Sequence, residues 1–577
     1  MRTEYCGKIS KKYINKQVSL CGWVTKIKNF GHFLFFYFED IKGEIQIILK
    51  ENYKKNVHKI KNGFCLNIVG IVKNRSTKNI NKNIPLGDIE IHIKKIKILS
   101  KSKEMPIDIL QRNKSKRTLK YRYLDLRTKK IQKNLLIRSK VILIIHKFMQ
   151  KKDFIHIETP IITKSTPEGA RDYIIPSRNH IGKFYALPQS PQIFKQLIMI
   201  SRFDKYYQIA KCFRDEDLRT NRQPEFTQID IELSFSNEKK IKKIIESLIY
   251  TIWKKVCKIK LKNFPEITYK ESIKKYGTDS PDIRNPLEIT DFTKFFTHSK
   301  IKEKILNRKI LGIHISYKIK LNLNCIKKYI ELIKSYNIKN VLYIVVSKKK
   351  INKIKISKNI TLDKTIFKNI IIHMKLLEND IIILSNSKND KIYKIFGIIL
   401  KKIATDYNLI NKNSYKPIWI KEFPMFKKDK KGNLTSVHHP FTSPKENSIK
   451  KIQKNPEAIF SRSYDLVING KEIGGGSVRI HNVKTQKLIF KILNFSKKNQ
   501  KRKFGFFLDA LQYGPPPHSG IALGLDRIIM MLTKSSDIKD VIAFPKTASA
   551  ACKTTNAPDK ISNKFLKDLH IKIEKYK

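Results

Sequence analysis

The sequence predicts an α+β protein of several domains: a small N-terminal β barrel, a larger domain built on an antiparallel sheet, and an α+β insertion that splits the larger domain. Three observations carry this. The chain has 577 residues, more than one hydrophobic core organises, so two to four domains are expected. The first 105 or so residues read as short β-type runs, after which apolar residues recur every three or four positions. From about 285 to 410 the chain is rich in Lys, Ile and Asn, almost lacks Gly, and separates two regions dense in reactive side chains.

The barrel comes first. VSLCGWV (18–24), FLFFYFED (33–40), GEIQIIL (43–49), FCLNIVGIV (64–72) and IEIHIKKIKIL (89–99) are rich in β-branched and aromatic residues. Five strands in so short a span fit a closed barrel of the oligonucleotide-binding type. An immunoglobulin-like sandwich would need two more. A basic linker within 101–120 follows. From Asn134 to Lys151 the spacing of Ile137, Val141, Ile144 or Ile145, and Phe148 predicts an amphipathic helix. FIHIETPIIT (154–163) reads as a strand containing Pro160, which places it at an edge or an interface because proline donates no ladder bond. Antiparallel strands are expected at 183–188, 206–214 and 225–235. The chain therefore divides at 1–105 (barrel), 106–120 (linker), 121–284 (first part of the larger domain), 285–412 (insertion) and 413–577 (second part).

Lys and Arg number 120 against 49 Asp and Glu, a formal charge of +71. A polyanionic partner would explain the excess through counterion release. A genome biased toward A and T explains it equally well, since Lys, Ile and Asn are abundant everywhere. The seven cysteines are dispersed and form no CxxC pair, which argues for a reducing compartment and against disulfides or zinc. The N-terminus lacks a long apolar run, and no stretch approaches the roughly 18 apolar residues of a membrane span. A cytoplasmic protein without a membrane partner is expected.

Three segments concentrate charge in patterns that suit nucleotide chemistry. In CFRDEDLRTNRQPEFTQID (212–230), Arg214 adjoins an acidic run and a returning strand carries Phe226. An arginine gripping phosphate and a ring stacking on a base would form a nucleotide platform. A solvated, salt-bridged hairpin is the plainer reading of any one of these charges. In YDLVINGKEIGGGSVRIH (464–481), Asp465 and Glu472 flank a turn and could hold Mg²⁺ jointly with substrate phosphates. Gly474 to Gly476 would let a ligand approach the backbone. In GIALGLDRIIMML (520–532), Arg527 opens a helix beside small residues and could clamp terminal phosphates. GxxxxGK[ST], HExxH and a GxGxxG after a strand are all absent.

RYLDLR (122–127), FIHIETP, FRDE with RQPEF, and GGGSVR followed by GLGLDR resemble the three signature motifs of the class II aminoacyl-tRNA synthetases. Their order, with TPEGARDY and LPQSPQ, is similar to the bacterial aspartate-specific branch from MRTEYCG (1–7) to FPKT (544–547). The resemblance implies an anticodon-binding barrel, an antiparallel catalytic sheet and a homodimer. It implies activation of L-aspartate with ATP and transfer to tRNA(Asp). Asparagine- or lysine-specific relatives, and a catalytically silent tRNA-binding paralogue, are the alternatives.

Residue by residue, the resemblance puts Glu168, Ser190, Gln192, Lys195, Arg214, Asp230, His438 and Arg479 at the aspartate. Lys195 and Arg479 suit an anionic side chain, whereas a lysine pocket would need carboxylates. It puts Arg214, Asp215, Glu216, Gln223, Phe226, Glu472, Gly524, Leu525, Asp526 and Arg527 at ATP, with Arg214, Glu472 and Arg527 in catalysis and Asp465 with Glu472 at the metal. Lys28, Phe35 and Gln46 match anticodon-contacting positions. The turn TKIKNFGH (25–32) departs from the family's arginine-rich pattern, and Lys28 keeps the charge but loses the fork. Phe30 stands where tRNA-ambiguous relatives often carry His, which leans toward strict specificity.

Overall fold

The computed structural model describes residues 1–29, 33–50, 60–82, 86–106, 116–166, 169–218, 221–296, 309–338, 341–346, 364–387, 390–445 and 449–574. Two units emerge, Met1–Thr128 and Lys129–Lys577.

In the first unit, β1 (Gln17–Asn29), β2 (Phe33–Asp40), β3 (Gly43–Lys50), β4 (Cys65–Asn74) and β5 (Ile89–Ser100) close in the order β1-β2-β3-β5-β4. Closure comes from the parallel β3–β5 pairing, and the other pairs are antiparallel. Strict alternation chooses the faces. Phe36 and Phe38 point into the core with Leu20, Ile47 and Ile68, and Phe35 and Tyr37 point outward.

The second unit opens with α1 (Lys129–Gln150), which starts five residues before the spacing predicts. Then come β6 (Ile155–His156), β7 (Ile174–Pro176), β8 (Phe184–Ala186), α2 (Gln192–Ile200), β9 (Lys205–Phe213), β10 (Glu225–Ser234), α3 (Glu238–Cys257), β11 (Glu266–Thr268) and α4 (Tyr269–Tyr276). Two expectations are corrected. The FIHIETP strand is only two residues long and ends before Pro160, although it does lie at the sheet edge, parallel to β9. Residues 184–186 pair with β7 in a separate hairpin instead of joining the large sheet.

The insertion places β12 (Ile289–Asp291), β13 (Lys309–Ile315), β14 (Val341–Val345) and β15 (Ile381–Ser387) in the order β12-β13-β15-β14, with helices α5 (Leu323–Ser335), α6 (Lys364–Met374) and α7 (Lys391–Asp406). Its Gly397 meets Gly277 at the end of α4. A β-carbon on Gly277 would lie 2.0 Å from the Tyr393 carbonyl oxygen, so only glycine allows this seat.

After the insertion come β16 (Pro417–Lys421), the β17–β18 hairpin (Phe426–Lys428, Leu434–Ser436), α8 (Ile449–Lys454), β19 (Ser463–Ile468), β20 (Lys471–Val478), α9 (Val483–Ile492), α10 (Lys497–Ala510), β21 (His518–Gly524) and α11 (Leu525–Leu532). The main sheet runs β11-β16-β19-β20-β21-β10-β9-β6, antiparallel except at its two edges. One face packs on α1, α3 and α11 through Val141, Ile145, Ile249, Trp253, Ile528 and Ile529. The other face is polar and carries the site. Among the described residues, no helix is long and apolar enough to cross a membrane.

Candidate active site

Alternation along β10 builds the site. Ile229, Ile231 and Leu233 face the helices, so Asp230 and Glu232 must face the other side. Asp230 is bonded to Lys195 of α2 at 2.8 Å, and Glu232 lies 3.5 Å from the same ammonium. Glu232 also takes a two-pronged grip from Arg479, just beyond β20, at 2.8 and 3.0 Å. Arg479 further donates to Ser477 Oγ at 2.8 Å. All four charged groups are buried. Burial opposes ionisation of Glu232, but Arg479 and then Lys195 outweigh it and hold its carboxyl below the usual range. Gly520, opposite on β21, makes this possible, because a β-carbon there would sit 1.9 Å from a Glu232 oxygen.

Within this network two buried polar atoms have no hydrogen-bond partner: Asp230 Oδ2 and Gln192 Nε2. Buried polar groups are rarely left unpaired in folded proteins, because each costs about 1–3 kcal/mol. An unpaired acceptor on Asp230 and an unpaired donor on Gln192, three residues before Lys195 on α2, fit a small zwitterionic ligand.

A second set of charged groups lies along β9, β19 and β20. Arg214 follows β9, its N–H held by the Pro224 carbonyl at 2.8 Å. Its guanidinium stands 5.0 Å from the centre of the Phe226 ring, and its buried Nε is unpartnered. Asp465 on β19 has an unpartnered, buried Oδ1, and burial followed by Glu472 and Asp279 pushes its carboxyl well above the usual range. Position 475 lies opposite Asp465, where a β-carbon would come 2.7 Å from Asp465 Oδ1 and 3.9 Å from Glu472 Oε1. A divalent cation would fit this donor pair, since it would relieve the repulsion between the two carboxylates. Among the described residues no group of three or more His, Cys, Asp or Glu could hold a metal alone.

Residues 114–548 match the family of tRNA synthetases class II (D, K and N), and residues 18–99 match an OB-fold nucleic acid binding domain. An aspartate–tRNA ligase of Buchnera aphidicola (subsp. Acyrthosiphon pisum, strain APS) is 49% identical over 99% of both chains. One from Blochmanniella pennsylvanica is 44% identical over 97% of this chain and all of the other. This chain belongs to the aspartate–tRNA ligase family. A crystal structure of asparaginyl-tRNA synthetase from Pyrococcus horikoshii, complexed with asparaginyl-adenylate, covers 94% of the chain and 98% of its own at TM-score 0.59 and 17% identity, a likeness of fold.

Several side chains expected at the ligase's substrates also hold protein partners. Gln223 exchanges two hydrogen bonds with the main chain of Lys546, at 2.7 and 3.2 Å. Asp526 is buried against Arg138 and the Thr227 N–H, tying α11 to α1 and β10. Leu525 lies in the core. Glu216 pairs with Arg222 at 2.6 Å, and the main-chain N–H of Asp215 donates to the Arg171 carbonyl at 3.1 Å. Gly524 switches β21 into α11, where Arg527 donates to the Glu472 carbonyl at 2.7 Å.

The glycine run also divides. Gly474 and Gly476 serve the sheet, because β-carbons there would strike carbonyls of β21 at 2.4 and 2.3 Å, and only Gly475 opens toward the carboxylates. Of the two histidines, His438 packs edge-on against Phe423 and lies 3.9 Å from Asp465. His439 is the one that meets Arg479, at 2.5 Å. Burial and then Arg479 depress both, His438 to about 4, so both are neutral near pH 7. Glu232, His439 and Ser477 were not expected from the sequence. The period-2 run QIDIELS already put Glu232 on the face of Asp230.

Ser190 directly precedes Pro191, the cap of α2. In the barrel, Lys28 lies 5.6 Å over the Phe35 ring on the outer surface. Gln46 is buried there and donates to Glu90 at 3.3 Å, so its amide is partly engaged. Glu168 and Phe30 lie outside the described residues.

Proposed function

We propose that this aspartate–tRNA ligase activates L-aspartate over the polar face of β10 and transfers it to the 3′ end of tRNA(Asp). The observation that carries the reading is the buried Lys195–Asp230–Glu232–Arg479 network with its two unpaired atoms. The unpaired oxygen of Asp230 receives the substrate α-ammonium, with Glu168 assigned to the same group. Lys195 and Arg479 receive the side-chain carboxylate, with Ser190, Gln192 and the neutral His438 around it. Asparagine would set an amide N–H₂ against obligate donors.

ATP is the second substrate. Its base stacks on Phe226, Arg214 neutralises the α-phosphate, and Arg527 anchors the γ-phosphate. Asp465 and Glu472 would hold Mg²⁺, which would supply neutralisation of phosphate charge. The aspartate α-carboxylate attacks the α-phosphorus in line and pyrophosphate leaves. The terminal ribose hydroxyl of the tRNA then attacks the adenylate carbonyl, and AMP leaves. Both steps depend on alignment and fixed charge.

Aspartate-dependent exchange of labelled pyrophosphate into ATP tests this reading. Exchange driven by asparagine or lysine instead would assign a different substrate, and no exchange with any of the three would mean a silent paralogue. A homodimer is supported by the exposed apolar residues Leu136 and Leu143 on α1 and Ile155, Ile161 and Ile162 on the edge segment. Light scattering at micromolar protein should give twice the chain mass. Seven free cysteines support a reducing, cytoplasmic setting.

A further inference from the structure

We infer that α9 and α10 form a cationic surface for the sugar–phosphate backbone of the tRNA near its amino-acid-accepting end. The inference rests on the ligase reading, which makes tRNA the polyanion at hand. Residues 483–503 hold eight Lys or Arg and no Asp or Glu. At the chain-wide excess of +71 in 577, a stretch of that length would carry between two and three. Composition alone therefore does not account for it.

The placement is ordered. Lys484, Lys487 and Lys491 recur on the exposed face of α9, and Lys497, Lys498, Lys501 and Arg502 on that of α10. The two helices pack together, and α8 adds the exposed Lys450 and Lys454 beside α9. Among the described residues none of the seven cations on α9 and α10 has a carboxylate partner, whereas Lys428 and Lys445 pair with Glu457 and Glu422. The α10 row Lys498–Arg502 continues into the exposed Phe506, and Tyr513 stands exposed just past the helix. Cations leading into exposed aromatic rings suit RNA, whose phosphates they neutralise and whose bases the rings can stack.

A membrane is the weaker partner because the apolar faces of both helices are already buried. Phe490 of α9 stacks on Phe504 of α10 at 4.4 Å, and both pack with Phe441, Phe507 and Ile193 of α2. Helix α2 also carries Gln192 and Lys195, so the surface is mounted on the wall of the pocket that the tRNA end must reach.

The test combines Lys497→Gln, Lys498→Gln, Lys501→Gln and Arg502→Gln in the full-length chain. Pyrophosphate exchange without tRNA should match the parent, and circular dichroism should be unchanged, since these side chains are exposed. In charging assays the slope of log KM for tRNA against log salt should become shallower by about three, at roughly 0.7–0.9 per phosphate contact. KM at about 150 mM salt should rise at least tenfold on the same estimate. The loss should persist with a duplex reproducing only the acceptor arm, and arginines at the same four positions should restore the slope. A parent-like slope and KM, or a loss that vanishes with the acceptor duplex, overturns the inference. So does an effect confined to phosphatidylserine vesicles. Failure of the ligase reading would show differently, as a parent that charges no tRNA.

Discussion

Lys195 and Arg479 enter the pocket with their charges already matched by Asp230 and Glu232. In the proposed pocket, substrate selection therefore rests on where the remaining donors and acceptors point, because the cations are not surplus. Removing one partner from such a buried set costs about 3–5 kcal/mol, mostly by stranding the other charge. Arg214 differs, for it stands over Phe226 with an unpartnered Nε and is available to a phosphate. Arg214→Ala should lower aspartate-dependent pyrophosphate exchange by about 10²–10³ with the fold intact. Near-normal exchange in the folded variant would remove the residue from the chemistry. The glycines permit a sharper contrast. Gly476→Ala forces a β-carbon to within 2.3 Å of the Gly520 carbonyl and should lower the denaturation midpoint by the equivalent of about 1–3 kcal/mol. Gly475→Ala faces the Asp465 and Glu472 carboxylates rather than backbone and should keep the fold while raising the Mg²⁺ concentration needed for half-maximal exchange. Equal stability losses in the two variants would contradict this division.

At the level of elements, the edge strand β6 is short and depends on its side chains. His146 of α1 contacts the Tyr207 hydroxyl of β9 at 2.8 Å, and His156 of β6 packs edge-on against both rings. Burial, then the neighbouring His156, lowers the His146 pKa below its usual 6.5. The unfolded chain thus takes up a proton before the folded one does. Stability from this group is complete above about pH 6.5 and declines as pH falls below it. Denaturation midpoints measured from pH 7.5 to 5 should fall less steeply in His146→Gln than in the parent, and parallel curves would show that His146 does not contribute. Sequence periodicity overstated this strand: the run looks β-like as far as Pro160, but ladder pairing covers only Ile155 and His156. The helix α1 was read more faithfully, because an apolar stripe recurring every three or four residues from Ile137 to Phe148 outweighs uncertainty at either end.

On the scale of the whole molecule, the groups assigned to ATP and aspartate lie beyond residue 160, and those assigned to the anticodon lie in the barrel. Deleting residues 1 to 105 should spare adenylate formation and strongly impair aspartylation of tRNA. Phe35→Ala alone should weaken tRNA use about ten- to a hundredfold, since stacking one base on an aromatic ring contributes about 1–3 kcal/mol. Exchange without tRNA should not change. Normal charging by Phe35→Ala across a range of salt would mean that the barrel acts only as a basic handle.

The sequence by itself determined the fold class, the order of the motifs and, through period-2 alternation, which face of each long strand is polar. Those are local properties, because the backbone pleat fixes side-chain direction whatever lies beyond. Tertiary structure decided the partners. Gln223 and Asp526 read as nucleotide ligands in their motifs, yet they bond to Lys546 and Arg138, residues 323 and 388 positions away. Glu232 became the hinge of the pocket because β21 brings a glycine opposite it and β20 delivers Arg479 alongside. Periodicity names the face a charge must occupy. Only the lateral order of the strands says which buried charge meets it there, and a buried charge must be met.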